Sequence, residues 1–354
     1  MGVWLQCAED SNNVAKDVAV GFNLYVALCG SQSHVNNARA GGMRVLLQND
    51  SGLKPFAPDS VNAGYMVGDE WDMTHPMSDC LSAWQSQLGA FPVDGRVRYA
   101  NFGKGVAFWG SDAQAACWVN SVNIPSADVY WFSDNNACGP GEGGAEVAVF
   151  KQNNCHNAVN YGWLVNRVRS LVSPLGTKPV WAFVEVNCPF GGAGDLCAST
   201  AQMKAAVWHS LIAGARGIVY FNHSFKAGNG CPSDASTTRT CPAYATAVTQ
   251  VNGQLQSLAG VLNSMTITAG IATSGNVKVL GKWNGANLYV LAGATPGAGS
   301  AGFALPSCVG NATATVLNEN RTLPVTNGSF SDSFATDNTI HLYRIDGGSS
   351  CNLS

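Results

Sequence analysis

Eight short runs rich in β-branched and aromatic residues, most of them separated by helix-type segments, constrain this chain more than any other feature. They cover residues 3–6, 22–28, 43–48, 65–70, 97–102, 129–133, 180–186 and 217–222. Most are continuously apolar, the mark of a strand buried on both faces rather than on one. The clearest helix between them spans residues 199–214, where Thr200 can act as the cap, Met203, Val207, Leu211 and Ile212 recur at helical spacing, and Lys204 and Arg216 flank the apolar face. Segments 79–88, 112–119, 157–172 and 244–262 behave in the same way. Segments 10–20 and 34–41 are shorter, and 51–62, with Pro55 and Pro58, reads as loop. This alternation predicts a parallel (β/α)8 TIM barrel over residues 1–265.

Beyond residue 262 the period changes. Short alternating segments at 277–283, 286–292, 302–305, 312–317 and 339–345, punctuated by Gly, Asn and Asp, predict a small antiparallel β-sandwich over residues 266–354. It carries no cluster of reactive side chains, so it reads as a buttress, with glycan binding as the alternative.

Composition narrows the setting. Only 12% of the 354 residues are charged and the net charge is -3, which gives no electrostatic footprint for nucleic acid or an anionic membrane. No apolar stretch approaches the length of a membrane span. Twelve cysteines with so little charge point to an oxidising compartment. Neighbour pairing would join Cys7 to Cys29, Cys80 to Cys117, Cys138 to Cys155, Cys188 to Cys197, Cys231 to Cys241 and Cys308 to Cys351. Asn-x-Ser/Thr acceptors at Asn49, Asn222, Asn311, Asn320, Asn327 and Asn352 fit a secreted protein, with Asn222 expected to stay unmodified because it ends a strand at the barrel mouth. The leading Met-Gly runs straight into the first strand, so an export signal is expected to have been removed.

Glu70 and Glu185 close the fourth and seventh runs. Carboxylates at strand C-termini face the mouth of a parallel barrel, where such folds carry out their chemistry, and a pair of them suits cleavage of a sugar linkage. Polar residues following other strands, namely Gln6, Gln48, Asn101, Tyr130, Asp134, Asn222 and His223, could line the same cleft and bind sugar hydroxyls. Trp71, Trp109 and Trp131 could stack on sugar faces, and Asp69 and Asp72 flank Glu70 as supporting groups. A Gly-rich segment at 137–154 could wall one side of the cleft.

The segment Gly68-Asp-Glu-Trp-Asp-Met73, with Phe183-Val-Glu-Val186 and the stretch 208–221, resembles the clan A, or four/seven, superfamily of retaining glycoside hydrolases. That resemblance implies a proton donor after the fourth strand, Glu70, and a nucleophile after the seventh, Glu185. This chain carries Asp69 where many members carry Asn before the donor. The resemblance further implies a carbohydrate substrate, no cofactor and no metal; a monomer is the expected form. A transglycosylase would share the covalent intermediate, and a degenerate barrel would bind glycans without cleaving them. A metal-dependent hydrolase built on Asp69, Glu70, His75 and His223 lacks paired ligand spacing. A serine nucleophile lacks a GxSxG elbow.

Overall fold

The computed structural model describes residues 1–139, 141–143, 155–192, 194–267, 270–346 and 351. Most of the Gly-rich segment 137–154 and the acceptor Asn352 therefore lie outside the described residues. Contacts divide the chain into two units, Met1–His156 with Asn160–Asn252, and Asn157–Val159 with Gly253–Ser354.

The first unit holds a parallel sheet of β1 (Gly2–Trp4), β2 (Leu24–Val26), β3 (Arg44–Leu47), β4 (Asn62–Asp69), β5 (Val97–Phe102), β6 (Ile124–Ala127), β7 (Trp181–Glu185) and β8 (Gly217–Phe221). Hydrogen-bonded neighbours run β6-β5-β4-β3-β2-β1-β8-β7, and the two end strands, β6 and β7, lie beside each other. The result is a nearly closed TIM barrel. Its interior is filled by Trp4, Val26, Leu46, Met66, Tyr99, Ile124, Phe183 and Val219, one or more from every strand.

Seven of the eight strands fall within or overlap the apolar runs of the sequence. The exception is β6, which lies before the 129–133 run and not within it. That run is loop, bound from the side by the end of β7. Helices follow the expected order: α1 (Ser11–Ala19), α2 (Gln32–Ala40), α3 (Trp71–Thr74), α4 (Ala83–Gly89), α5 (Asp112–Asn120), α6 (Val159–Leu171) and α7 (Thr200–Ile212). Ser199, not Thr200, caps α7, in a reciprocal box with Gln202 that satisfies two otherwise orphaned N–H groups. A further short helix, α8 (Thr237–Thr240), follows β8, and α9 (Pro242–Ser257) and α10 (Ala259–Leu262) complete the helical part.

The second unit contains two antiparallel sheets, one of six strands and one of three. Phe303, Phe330 and Tyr343 form the aromatic centre of its core, with Leu288, Val290 and Ile345 around them. This is the sandwich that the alternating segments predict.

All twelve cysteines pair as chain neighbours. Asn49, Asn311, Asn320 and Asn327 are at least partly exposed, whereas Asn222 is fully buried and closed to a transferase acting on the folded chain.

Candidate active site

The mouth is organised around the turn that follows β4. Glu70 adopts a left-handed backbone, φ 46° and ψ 32°, which a residue with a Cβ occupies only when its surroundings hold it there. Those surroundings are explicit. The Glu70 N–H donates to the Asn101 carbonyl at 2.8 Å, extending the β4–β5 ladder past its end. Two residues on, the buried Asp72 carboxylate accepts the N–H groups of Gly103 at 2.9 Å and Val106 at 2.7 Å. A Cβ on Gly105 would meet the Asp72 carbonyl at 2.3 Å, so only glycine allows the two loops to approach this closely. Glu70 is thus pinned from both sides, by β5 before it and by the β5 loop after it.

A polar row continues across the neighbouring strands. Asn101 donates to Asp69 at 3.2 Å and accepts from Ser126 at 2.7 Å, and the Ser126 hydroxyl meets that of Tyr99 at 2.6 Å. Ile124 points into the barrel, so period-two alternation carries Ser126 and then Asp128 onto the same inner face. Asp128 is 4% exposed, and its Oδ1 has no partner. Its carboxyl lies against Glu70 and the Tyr130 hydroxyl, and burial, followed by the charges of Glu70 and Asp69, pushes its pKa well up. Asp69 opens to solvent yet is raised to about 7, by desolvation first and by Glu70 second.

Tyr130 joins this acidic cluster to an aromatic floor. Its ring meets Phe190 edge-on at 4.9 Å and Phe221 at 5.2 Å. Phe221 lies 5.1 Å from His223, which in turn stacks beside Phe225 at 6.2 Å. Phe225 is 65% exposed, an unusual position for so large an apolar ring unless something flat covers it.

Glu185 occupies a different setting. It is 1% exposed, and each carboxylate oxygen already has two donors: Oε1 takes the Phe132 N–H at 2.8 Å and the Tyr161 hydroxyl, while Oε2 takes the Ser133 N–H at 3.0 Å and the Ser133 hydroxyl. Burial raises its pKa to about 7, against the pull of those four donors. The side chain therefore ties the end of β7 to the segment after β6, across the seam where the two end strands meet.

Of the residues singled out from the sequence, Asp69, Glu70 and Tyr130 come together around Asp128, and Asn101 bonds to Asp69 beside them. Gln6 and Asn222 bond to each other at 2.8 Å in a buried network that also holds Asp17 and Thr238. Gln48 lines a recess of about 560 Å³ with Asn49, Asp50, Ser51 and Met66. Asp134 accepts Lys104 at 3.0 Å, which ties the β6 loop to the β5 loop. Trp71 stacks flat on His75 at 4.3 Å, and Trp131 is wholly buried. His223 bonds the Trp4 carbonyl at 3.1 Å, and burial holds its pKa below the ordinary range. Asp128, Tyr161 and the Phe190 and Phe225 rings belong to no sequence motif, Phe221 closes the 208–221 stretch without being singled out there, and only the structure brings them to the site. Among the described residues, the donors that converge closely enough for a metal are Cys7, Cys29 and His34, and both cysteines are spent on a disulfide.

The crowded carboxyls set a pH dependence. Folded pKa values of about 7 for Asp69 and Glu185 and about 6 for Asp72 lie above the unfolded values of 3.8, 4.5 and 3.8. A raised carboxyl favours the folded state most below its unfolded pKa and loses that contribution as pH rises through the folded value. His223 and the Met1 amine, which burial lowers to about 6, act in the opposite sense, two groups against several. The denaturant midpoint of the protein is expected to fall between pH 5 and pH 8; a midpoint that rises over that interval would contradict this electrostatic picture.

No protein-family model matches the chain, and no curated protein does. Solved structures do. A family 5 glycoside hydrolase from Bacteroides vulgatus superposes with a TM-score of 0.58 at 11% identity, covering 99% of this chain and 88% of the other. A GH30 endoxylanase from Clostridium papyrosolvens gives 0.51 at 13% identity, covering 98% and 95%. An α-amylase from Geobacillus thermoleovorans gives 0.53 at 9% identity, covering 96% and 94%. The fold is that of glycoside hydrolases. At these identities the likeness stops at the fold, and an endoxylanase beside an α-amylase selects neither a sugar nor a bond.

Proposed function

We propose that the protein is a secreted glycoside hydrolase that cleaves O-glycosidic bonds of an oligo- or polysaccharide by double displacement. Glu70 donates the proton to the leaving oxygen, and Glu185 is the nucleophile. The observation that carries the reading is the position of Glu70: a carboxyl held on a strained turn at the mouth of the barrel, with a carboxyl neighbour on one side and, beyond Tyr130, an aromatic floor. Sugar rings have apolar faces that settle on such rings, while their hydroxyls reach the polar rim. Protonation of the glycosidic oxygen by a positioned acid then lowers the barrier to departure of the leaving group.

Glu185 faces two demands. As a nucleophile it must free an oxygen, and the Tyr161 hydroxyl is the donor on Oε1 that can rotate away, since the Phe132 N–H is fixed in the backbone. As a tie across the seam it must keep all four donors.

The test is a screen of aryl glycosides and polysaccharides with the parent, Glu70→Gln and Glu185→Gly. Loss of about 10²–10⁴-fold in kcat is expected for Glu70→Gln. Azide should restore turnover to Glu185→Gly and yield a glycosyl azide of inverted configuration. Undiminished hydrolysis in Glu70→Gln would remove the assignment, and tight glycan binding with no turnover in the parent would leave a binding barrel in its place.

A further inference from the structure

Asp128 has no role in the double displacement described above, yet its carboxyl is buried against that of Glu70. The register brings it there. Asp69 pairs with Asn101 and Asn101 with Ser126 across β4, β5 and β6, and the Asp128 N–H continues the β6 side by donating to the Phe102 carbonyl at 2.8 Å. Its side chain then meets Glu70 over the end of β5, with one oxygen left unpartnered in a site that is 4% exposed. A second ionised carboxylate cannot rest against a first in such a place. Like charges in contact with little water between them force one to keep its proton.

We propose that Asp128 and Glu70 hold one proton between them, making Asp128 the positioning residue that keeps the Glu70 carboxyl aimed and supplied. The pair is a property of the resting protein, and only its consequence for turnover rests on the glycosidase reading. In that turnover the O–H of Glu70 breaks toward the glycosidic oxygen as the bond from that oxygen to the anomeric carbon breaks, the bonding electrons leave with the oxygen, and a Glu185 oxygen bonds to the anomeric carbon in its place. Both carboxyls of the pair are then anionic. Their repulsion favours return of one proton to the pair, and in the return step Glu70 takes a proton from water while the water oxygen bonds to the anomeric carbon and displaces the Glu185 carboxylate.

The groups that face the pair are Asp69 and Asp72 on the β4 side, Tyr99 on β5, Tyr130 after β6 and Tyr161 on α6. Lys104, on the adjoining β5 loop, is occupied by Asp134 and Glu142. Tyr130 can donate to the pair, whereas Tyr99 is bonded to Ser126 and Tyr161 to Glu185, and none of the three carries a compensating charge.

Infrared titration of the protonated-carboxyl band tests the pair without any substrate. In Asp128→Asn one partner of the pair is gone, and the protonated-carboxyl band that the pair shows in the parent is expected to disappear from its parent position. Glu70→Gln tests the same pair from the other side, since Asp128 should then titrate lower; it serves also if Asp128→Asn fails to fold. The double variant should lose both bands. Titrations that Asp128→Asn and Glu70→Gln leave unmoved would show two independent acids and overturn the proposal, whatever the protein hydrolyses. Once a substrate is in hand, the alkaline limb of the kcat profile should shift in Asp128→Asn with KM nearly constant. A loss confined to KM, or a uniform loss at every pH, would make Asp128 merely structural. If the pair titrates as expected but no glycoside is turned over, the inference stands and the functional reading falls.

Discussion

Glu185→Ala is expected to cost the barrel about 3–5 kcal/mol, because it strips the acceptor from several buried donors at once, each worth about 1–3 kcal/mol when left unsatisfied. The donors are the Phe132 and Ser133 amides and the Ser133 and Tyr161 hydroxyls. They belong to the segment after β6 and to α6, so their release loosens the place where the two end strands of the sheet meet. Glu185→Gln should cost less. Its amide oxygen still serves one side, while its NH2 group turns toward donors on the other. Thermal and denaturant unfolding read the order parent, glutamine, alanine. A nucleophile that merely projects into an open cleft would show no such order: both variants would fold like the parent and differ from it only in turnover. Equal stability in all three proteins would thus remove the tie across the seam and leave Glu185 with chemistry alone.

The sequence makes most of the barrel readable because a strand covered on both faces must be apolar at consecutive positions, and the runs are short and rich in β-branched and aromatic residues, unlike the longer buried helix α7. β6 breaks the rule. Its residues Ile124-Pro-Ser-Ala127 contain a proline and a serine, and its inner face passes from Ile124 to Ser126 and then Asp128, so it shows no continuous apolar signature. The apolar run just after it is loop, so the strand is read too late and Asp128, the residue that follows it, is passed over. Glu70 is legible because a carboxylate closing an apolar strand is costly to bury unpaired, which places it at the open mouth of the barrel. Side-chain direction at the other strand ends is not. Gln6 and Asn222 look like cleft residues by position, but their partners, Asp17 and Thr238, come from helices that sequence spacing cannot aim. The aromatic floor is hidden for a related reason: Phe190 and Phe225 lie in irregular loops, near the bridges Cys188–Cys197 and Cys231–Cys241, where no period marks an inward face.

Those disulfide-bonded loops depend on a second anchor, and its removal gives an equally large expected effect. Asp17 on α1 is wholly buried and accepts from Gln6 at 2.5 Å, Tyr25 at 2.6 Å and Arg239 at 3.0 and 2.6 Å. Arg239, on α8 after β8, also reaches the Cys7 carbonyl at 2.6 Å and Glu9 at 2.9 Å. The pair therefore joins the loop after β8 to the loop after β1, where the barrel ladder passes from one end of the chain to the other. Asp17→Ala leaves a largely buried guanidinium without its main anion, for which about 3–5 kcal/mol is the usual cost. A shift in melting temperature on the order of 10 °C is expected for a unit of this size. Asp17→Ala combined with Arg239→Leu should be less damaging than Asp17→Ala alone, because the stranded charge is gone and what is missing is the hydrogen bonds to Gln6, Tyr25, Cys7 and the partly exposed Glu9. Strict additivity of the two substitutions would mean that solvent already screens the pair, and the rim would then owe its shape to the disulfides instead.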